Sequence, residues 1–300
     1  MEASVDERWS SKEFILANRA KQKRRQRSAY VLMYIAAALA VVVLLIIIGF
    51  IFVKGFSALS WEFLSEDVSE AGASGGIFPL ILNTLYLVGL GMLFAAPLSV
   101  LAAIYMTEYA RQGVVIKVIR FFTTNLAGIP SIIFGLFGFM FFGKILGWSF
   151  SLLNGAATVA IVILPTLIRT AEEAIITVPS GYKEGSLALG ATKWKTMYKI
   201  VIPAASPGII NGIILGMGRI FGETAALYFT VGSSTKLATG LMSSARTLAI
   251  HLYYLAKEGA SSNAVERAYG TATVLIVVIL ILNLIAGWFG KRINRYKEMR

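Results

Sequence analysis

Residues 31–53 read VLMYIAAALAVVVLLIIIGFIFV, a run of 23 residues without a charged side chain. About 20 apolar residues suffice for a helix to cross the hydrocarbon core of a bilayer, whereas the apolar part of a cleaved signal peptide has roughly 7–15. We therefore predict a retained transmembrane helix over residues 29–54, preceded by a basic segment over residues 1–28.

Five further apolar runs follow along the chain. They cover about residues 79–106, 121–142, 150–168, 207–231 and 272–290. The chain is 57% hydrophobic, above the roughly 45–50% of soluble domains, and the excess lies in these runs. The sequence therefore predicts an all-α integral membrane protein with six transmembrane helices. Within the third run, Gly128, Pro130 and Gly135 are expected to interrupt the helix.

The distribution of Lys and Arg predicts the orientation in a cell (inner) membrane. With the N-terminus inside, the inner segments carry 21 Lys and Arg and the outer segments carry six. Basic residues are enriched in cytoplasmic loops, so we expect both ends, including the basic tail 291–300, to be cytoplasmic. The net charge of +12 fits contact with anionic lipid headgroups. No nucleic-acid-binding module is visible, and nucleic acid is not predicted as a partner.

Enzymatic chemistry is not favoured. The chain has no cysteine, which excludes disulfides and thiolate metal sites. Its single histidine, His251, lies beside apolar and aromatic residues without other metal-ligand types, so we predict a structural or interfacial role. No nucleophile and base pair is apparent. We predict no catalytic residue, no metal site and no cofactor.

Residues 183–203 read KEGSLALGATKWKTMYKIVIP and are polar enough to lie outside the membrane. Glu184, Leu187 and Ala188 would share one helical face, and Gly190 would interrupt the helix. The pattern predicts two short helices that meet at a turn in the cytoplasm. Such an element can fit a groove on a partner protein.

This stretch resembles the EAA loop of ABC importer permeases. The family pattern is Glu-Ala-Ala, three residues, Gly, nine residues, Ile-x-Leu-Pro, and here Gly185 and Ser186 replace the alanines while Ile202 replaces Leu. In that family the loop is the coupling helix that docks on the ATPase subunit. The resemblance implies ATPase contacts for Lys183, Glu184, Leu187, Ala188 and Gly190. The chain has no G-x-x-x-x-G-K-[ST] phosphate loop, so a separate subunit would have to bind ATP.

Two charges fall inside the fifth apolar run. Arg219 and Glu223 are four residues apart, which would place them on one helical face where they could pair. Charged residues at membrane depth are expensive and are tolerated when they are paired or face water. The charges alone leave two interpretations equally open, a structural ion pair or an anion pathway lined by Arg219.

The neighbouring residues extend the resemblance. Residues 216–227, GMGRIFGETAAL, resemble the R-x-x-GETAPL segment of phosphate-specific ABC permeases of the PstA type, with Ala226 in place of Pro. Residues 164–174, LPTLIRTAEEA, resemble that family's LP-x-x-x-RT-x-E-x-A stretch. Together with the EAA loop, the resemblance covers about residues 77–292. It implies that Arg219, Glu223, Thr224 and Arg169 line the translocation pathway.

The resemblance also implies an architecture and partners. We expect a type I ABC importer (MetI-like) permease core over residues 77–290, including the coupling loop 183–203, with the helix at 29–54 as an extra anchor. The implied partners are a second homologous permease, two ATP-binding ABC subunits and an extracytoplasmic phosphate-binding protein. Three alternatives stay open: the companion permease of the same complex, a permease for sulfate or molybdate, and a stand-alone secondary transporter.

Glycines recur through the fifth run. Gly212 and Gly216, and likewise Gly218 and Gly222, form small-x-x-x-small pairs. Such pairs allow two helix backbones to approach closely. We predict a close helix–helix contact along this stripe, either within the chain or with a second subunit.

Overall fold

The computed structural model describes the backbone of residues 3–69, 74–111, 113–258 and 262–298. Side chains are described neither for residues 1–21 nor for residues 291–300. Most side chains of the predicted basic N-terminal segment and all side chains of the predicted basic tail therefore lie outside the described residues.

The described residues are mainly helical. The helices are α1 (Ala3–Gly55), α2 (Trp61–Ser65), α3 (Phe78–Ile104), α4 (Val114–Leu126), α5 (Ser131–Gly138), α6 (Leu152–Ile176), α7 (Ser180–Ala188), α8 (Lys193–Thr196), α9 (Ile202–Gly222), α10 (Ala225–Tyr228), α11 (Leu248–Glu258) and α12 (Ser262–Glu298). A 3₁₀ turn follows α1 at Phe56–Ala58, and π-helical turns extend α3, α5 and α8 at Tyr105–Tyr109, Phe139–Ile145 and Met197–Val201. Two short strands, β1 (Val68–Ser69) and β2 (Ser74–Gly75), pair antiparallel.

Residues 1–53 and 54–300 form two compact units. In the first unit, the apolar side chains of residues 31–47 in α1 are exposed. A helix that is apolar all round and exposed in this way suits a lipid environment. The anchor role of residues 29–54 stays a prediction.

Among the residues that the structure describes, five helices are long and apolar enough to cross a membrane, and a sixth crossing arises if a bent helix pair counts as one span. The five are Arg25–Ala58, Phe78–Tyr109, Leu152–Ile176, Lys193–Gly222 and Asn263–Trp288, and the bent pair is Val114–Leu126 with Ser131–Ile145. All six predicted apolar runs therefore have a counterpart, and the all-α membrane fold is confirmed.

The third apolar run forms two helices with a sharp bend between them, not one helix with a local interruption. Its two halves, α4 and α5, meet at 99°. Pro130 stands immediately before α5, and a proline disfavours helical backbone at the residue before it, so α4 cannot continue through this point. Gly135, in contrast, lies inside α5, where an added Cβ would be 2.7 Å from Cα of Ala226. Its role is close packing, and it does not break the helix.

Helix α6 lies at the centre of the second unit. It packs along α3 on one side and along α9 on another. The main buried cluster joins side chains from these three helices, among them Leu87, Val159 and Ile220. Two thirds of the apolar stretch of α6 is buried, against 28% of the apolar stretches in the spans that contain α9 and α12. The geometry at α6 is therefore fixed by helix packing on several sides.

The predicted glycine contact exists for one of the two pairs. A Cβ added to Gly212 would lie 2.4 Å from Thr170 Oγ1, so a larger residue there requires Thr170 or the helices to shift. A Cβ added to Gly216 would lie 3.0 Å from Leu167 Cδ2, a tight contact with the end of a flexible side chain. At Gly218 and Gly222 an added Cβ meets no described atom within 4 Å. The α6–α9 contact thus uses the first pair.

Two predicted boundaries between helix and loop are wrong. Helix α6 does not end near residue 168 but continues for two further turns to Ile176, which places Arg169 inside the helix. The fifth span starts at Lys193 rather than near residue 207, because α8, the π turn and α9 are continuous. A π turn just before Pro203 lets the helix accommodate a residue that lacks an N–H.

The segment after the fifth run is anchored to α3 by buried polar side chains. Asn83 Nδ2 donates to the carbonyl of Lys236 (3.0 Å), and Asn83 Oδ1 accepts from the N–H of Ala238 (2.9 Å). Thr84 Oγ1 accepts from the N–H of Leu248 (2.9 Å), where α11 begins. These bonds satisfy loop backbone groups that would otherwise be buried without partners.

Candidate functional site

The stretch that resembles the coupling loop forms two helices at a left-handed turn. Helix α7 ends at Ala188, Gly190 has φ +81°, and Thr192 caps α8 by accepting from the N–H of Lys195 (3.3 Å). A positive φ favours glycine because other L-residues are strained there. The prediction of two helices that meet at Gly190 is confirmed, but the second helix is the first part of the fifth span rather than a separate short helix.

The side chains predicted to contact an ATPase divide into two groups. Glu184, Leu187 and Ala188 are exposed on α7, as expected for a docking face. Lys183 differs, because its ammonium forms an ion pair with Glu108 in the π turn after α3, and both side chains are mostly buried. Lys183 therefore ties α7 to the bundle and does not lie on the exposed face.

A hydroxyl pair explains a departure from the family pattern. Ser186 stands where the EAA pattern has alanine, and its Oγ lies 2.9 Å from Thr196 Oγ1. Both residues are buried. The pair joins α7 to α8 across the Gly190 turn and orients the two helices relative to each other.

The exposed side of this helix pair also carries large apolar side chains. Tyr182, Leu189 and Trp194 are exposed, and Leu189 is 91% exposed. Large apolar side chains that are exposed in an otherwise polar segment favour an interaction surface. We did not predict these three residues as contacts, although an aromatic residue within a basic polar stretch is the sequence signal that could have indicated them.

The residues predicted to line a pathway lie where α6 and α9 meet. Arg219, in the last turn of α9, is exposed, and its Nη1 donates to Thr166 Oγ1 of α6 (3.3 Å). Arg169 lies three residues further along α6, and its Nε donates to Glu173 Oε1 (3.0 Å), with both side chains largely exposed. The structure therefore places one arginine of α9 and one of α6 along the same stretch of α6, between Thr166 and Glu173. Thr166 was not among the predicted site residues.

The predicted pairing of Arg219 with Glu223 is wrong. Helix α9 ends at Gly222, and Glu223 has extended backbone (φ −72°, ψ 122°), so the four-residue spacing no longer places the two side chains on one helical face. No ion pair joins these two described residues; instead, Glu223 Oε1 accepts from the N–H of Ala226 (3.1 Å). Thr224 lies in the same break, and its Oγ1 donates to the carbonyl of Gly222 (3.4 Å).

His251 occupies a buried position in α11, an 11-residue helix outside the candidate membrane spans. Its Nδ1 is 3.5 Å from Nη1 of Arg246, and the side chain is fully buried. Burial, and secondarily the charges of Arg246 and Arg267, lower the pKa of His251 from 6.5 to about 3. Among the described residues, no group of three or more His, Cys, Asp or Glu side chains could hold a metal ion. His251 is a neutral packing residue.

The sequence matches known transport proteins over most of its length. Residues 95–296 match the family described as "Binding-protein-dependent transport system inner membrane component". The chain is 36% identical over 266 residues to "Probable ABC transporter permease protein YqgI" of Bacillus subtilis (strain 168), covering 84% of this chain and 90% of that protein. It is 30% identical over 263 residues to "Phosphate transport system permease protein PstA" of Haemophilus influenzae, with coverage of 86% and 91%.

A solved structure shares the fold. It is a chain of the bacterial alginate ABC transporter in complex with alginate pentasaccharide-bound periplasmic protein, with a TM-score of 0.61, 18% identity and coverage of 87% of this chain and 95% of that one. At this identity the likeness concerns the fold alone, and it confirms the predicted type I importer permease architecture. The chain therefore belongs to the family of binding-protein-dependent transport system inner membrane components, as a multi-pass ABC importer permease of the PstA type.

Proposed function

We propose that this chain is a permease subunit of an ATP-driven importer of inorganic phosphate and forms half of the translocation pathway. The observation that carries the proposal is the bond from Arg219 to Thr166, with Arg169 three residues further along α6. A guanidinium presents paired N–H donors that match the oxygens of a tetrahedral anion. Phosphate is the substrate named for the PstA relative.

Glu223 has a different role in this proposal from the one expected of an ion-pair partner. It lies at the break between α9 and α10, where its carboxylate accepts from the N–H of Ala226. We propose that this bond fixes the break and that the negative charge of Glu223 limits how strongly an anion is held near Arg219. Thr224, at the same break, adds a hydroxyl to the lining. A pathway must bind its substrate weakly enough to release it.

Phosphate uptake tests this assignment. In a complete importer reconstituted into proteoliposomes, Arg219→Gln and Glu223→Gln are expected to reduce ATP-dependent uptake of radiolabelled phosphate to background. The Glu223→Gln variant keeps an oxygen that can accept from the N–H of Ala226, so it removes the charge without removing this hydrogen bond. Lys236→Gln, an exposed side chain beyond the fifth span, is the matched control and is expected to transport normally.

The uptake assay also separates the rival substrates. Excess unlabelled phosphate should suppress uptake, whereas sulfate and molybdate should not. Absence of phosphate uptake together with ATP-dependent uptake of labelled sulfate or molybdate would assign the chain to another oxyanion. Normal uptake by the Arg219→Gln variant would remove Arg219 from the pathway. Uptake by the purified chain without any ATPase would indicate a stand-alone transporter.

We further propose that α7 and α8 face the cytoplasm and dock on an ATPase subunit. The excess of Lys and Arg in the segments on this side supports the orientation, and the exposed Leu187, Leu189 and Trp194 supply apolar contact area. The partners of the complex would be two ATP-binding subunits, a second homologous permease and an extracytoplasmic phosphate-binding protein.

Two experiments address these partners and the orientation. Co-purification from the native membrane is expected to recover an ATP-binding subunit and a second permease with this chain. Gly190→Trp is expected to leave ATP hydrolysis running without phosphate uptake, because a bulky residue at a φ of +81° distorts the docking turn. Crosslinks that place residues 184–190 on the outer side, or coupling that survives Gly190→Trp, would contradict the docking role.

A further inference from the structure

A cleft of about 540 Å³ opens between α4 and α6. Its polar lining includes Arg120 and Thr123 from α4 and Thr166, Arg169 and Glu172 from α6. A water molecule occupies about 30 Å³ of liquid, so the cleft has room for a small oxyanion with part of its hydration shell. Thr166 is the residue that also accepts the bond from Arg219, so the cleft continues from that bond toward the C-terminal end of α6.

Arg120 is held in this cleft by a single carboxylate oxygen. Its Nε and Nη2 both donate to Oε1 of Glu172, at 2.9 and 2.5 Å. A guanidinium has five N–H donors, so this arrangement uses only one of its edges. The side chain of Glu172 is 13% exposed and that of Arg120 is 41% exposed. Glu172 is therefore the fixed member of the pair, and Arg120 is the member open to the cleft.

The two arginines of the cleft are each neutralised by a neighbouring carboxylate on α6. Arg120 pairs with Glu172, and Arg169 pairs with Glu173. Unpaired guanidinium groups at the edge of a membrane-spanning bundle would be costly while the cleft is empty. A tetrahedral oxyanion presents the same kind of acceptor as a carboxylate, so it can replace Glu172 on Arg120 without leaving a donor unsatisfied.

Helix α4 is attached loosely enough to allow such an exchange. Ile116 is its only buried side chain, and it packs with Met106 and Ile168. The 99° bend after Leu126 separates α4 from the packing of α5. A change of partner at Arg120 therefore requires no rearrangement of the main core around α6.

We propose that Arg120 is a further anion-binding residue of the translocation pathway, held by Glu172 until an oxyanion takes its place. This inference rests on the proposed phosphate transport. It adds a further anion-binding position at Arg120, in the same cleft as Arg169 and between Arg219 and the cytoplasmic side. Glu172 acts as the competitor that releases the anion, because its carboxylate returns to Arg120 as the anion leaves.

The absence of cysteine from the natural chain provides a direct probe of the cleft. Thr123→Cys places one thiol of this subunit in the lining. The complete importer is treated with an anionic and with a neutral thiosulfonate reagent, and modification of this subunit is followed by mass spectrometry with and without inorganic phosphate. The ratio of the two labelling rates reports the charge of the cleft, because any opening of the cleft accelerates both reagents alike.

Two substitutions test whether Arg120 binds the anion, by the direction in which each shifts the labelling ratio and the phosphate concentration that protects the thiol. In the Thr123→Cys background, Glu172→Gln is expected to raise the anionic-to-neutral ratio and to lower the phosphate concentration that protects the thiol. Arg120→Gln is expected to lower the ratio and to raise that concentration about tenfold or more, as the loss of a charge-assisted contact implies. Lys117→Gln, an exposed lysine on the same helix outside the cleft lining, is the matched control.

A purely structural ion pair gives a different result. In that case the two substitutions still shift the labelling ratio in opposite directions, because they remove opposite charges, but the protecting phosphate concentration either stays unchanged or moves in the same direction in both variants. That outcome, or a thiol that phosphate protects in no variant, overturns the inference. Failure of the proposed function is a separate observation, namely that the wild-type importer takes up no phosphate. If the wild-type importer transports phosphate but the two variants do not shift the protecting phosphate concentration in opposite directions, only the role of Arg120 is rejected.

Discussion

Replacing Lys183 by methionine tests how the exposed face of α7 is joined to the bundle. The Lys183 and Glu108 side chains are 24% and 21% exposed. Exposed ion pairs contribute about 0.2–1 kcal/mol, and loss of one partner of a fully buried pair costs about 3–5 kcal/mol. A pair that is about four fifths buried falls between these limits, so Lys183→Met should weaken the attachment of α7 by about 1–3 kcal/mol.

The central value of about 2 kcal/mol corresponds to roughly a thirtyfold change in the population of molecules with α7 detached. Hydrogen exchange measures this population, because the amides of residues 184–189 exchange when α7 opens. Their protection is expected to fall by about thirtyfold in Lys183→Met. In reconstituted importer, the same variant should hydrolyse more ATP for each phosphate imported, because a loosely held helix transmits less of the ATPase motion.

The charge-swapped double variant, Glu108→Lys with Lys183→Glu, is the control. It restores an ion pair of opposite polarity at the same place, so protection and coupling should recover at least in part. If Lys183 acted instead by touching the ATPase directly, the swapped variant would be as defective as the single one. Unchanged protection in Lys183→Met would refute the assigned energy.

Three further predictions concern packing, pH and the turn. Gly212→Ala should lower the free energy of unfolding of the detergent-solubilised protein by about 1–2 kcal/mol, because the new Cβ would lie 2.4 Å from Oγ1 and 3.0 Å from Cβ of Thr170. Gly218→Ala is the control, since its Cβ meets no described atom within 4 Å and the change should be neutral or stabilising. Equal shifts of the unfolding temperature in the two variants would contradict this account. The pKa of His251 is lowered to about 3 from 6.5, so the stability that its neutral form provides is complete above pH 6.5 and is lost as the pH falls toward 3, because the unfolded state then binds a proton that the folded state does not. His251→Gln should make the unfolding temperature less dependent on pH between pH 7 and 4.5. An unaltered pH dependence in this variant would contradict the role given to the neutral His251. Gly190→Ala should reduce ATP-coupled uptake more than Gly190→Asn, because alanine at a φ of +81° costs about 1–2 kcal/mol and asparagine tolerates that region better; the reverse order would exclude backbone strain as the cause.

The sequence is most informative about features that depend on one residue or one short run, such as membrane-spanning helices and tight turns. The free energy of burying an apolar run in lipid is a sum over its own side chains, so residues 31–53 and the five later runs are recognisable without any knowledge of packing. The turn at Gly190 is similarly local, because it depends on the backbone freedom of one residue. The close contact at Gly212 was also predictable, since small residues four apart favour it, but its partner helix was not.

The site required distances between residues that are far apart in the chain. Arg219 and Thr166, or Arg120 and Glu172, are more than fifty positions apart, and their contacts exist only because of how α6 packs against α9 and α4. Periodicity alone paired Arg219 with Glu223, and the end of α9 at Gly222 separates them. By itself the sequence determined that this chain is a six-run membrane protein with a glycine turn in a polar loop, because transfer energies and backbone preferences are local. Tertiary structure alone decided which charges meet, because that depends on the packing of helices against one another.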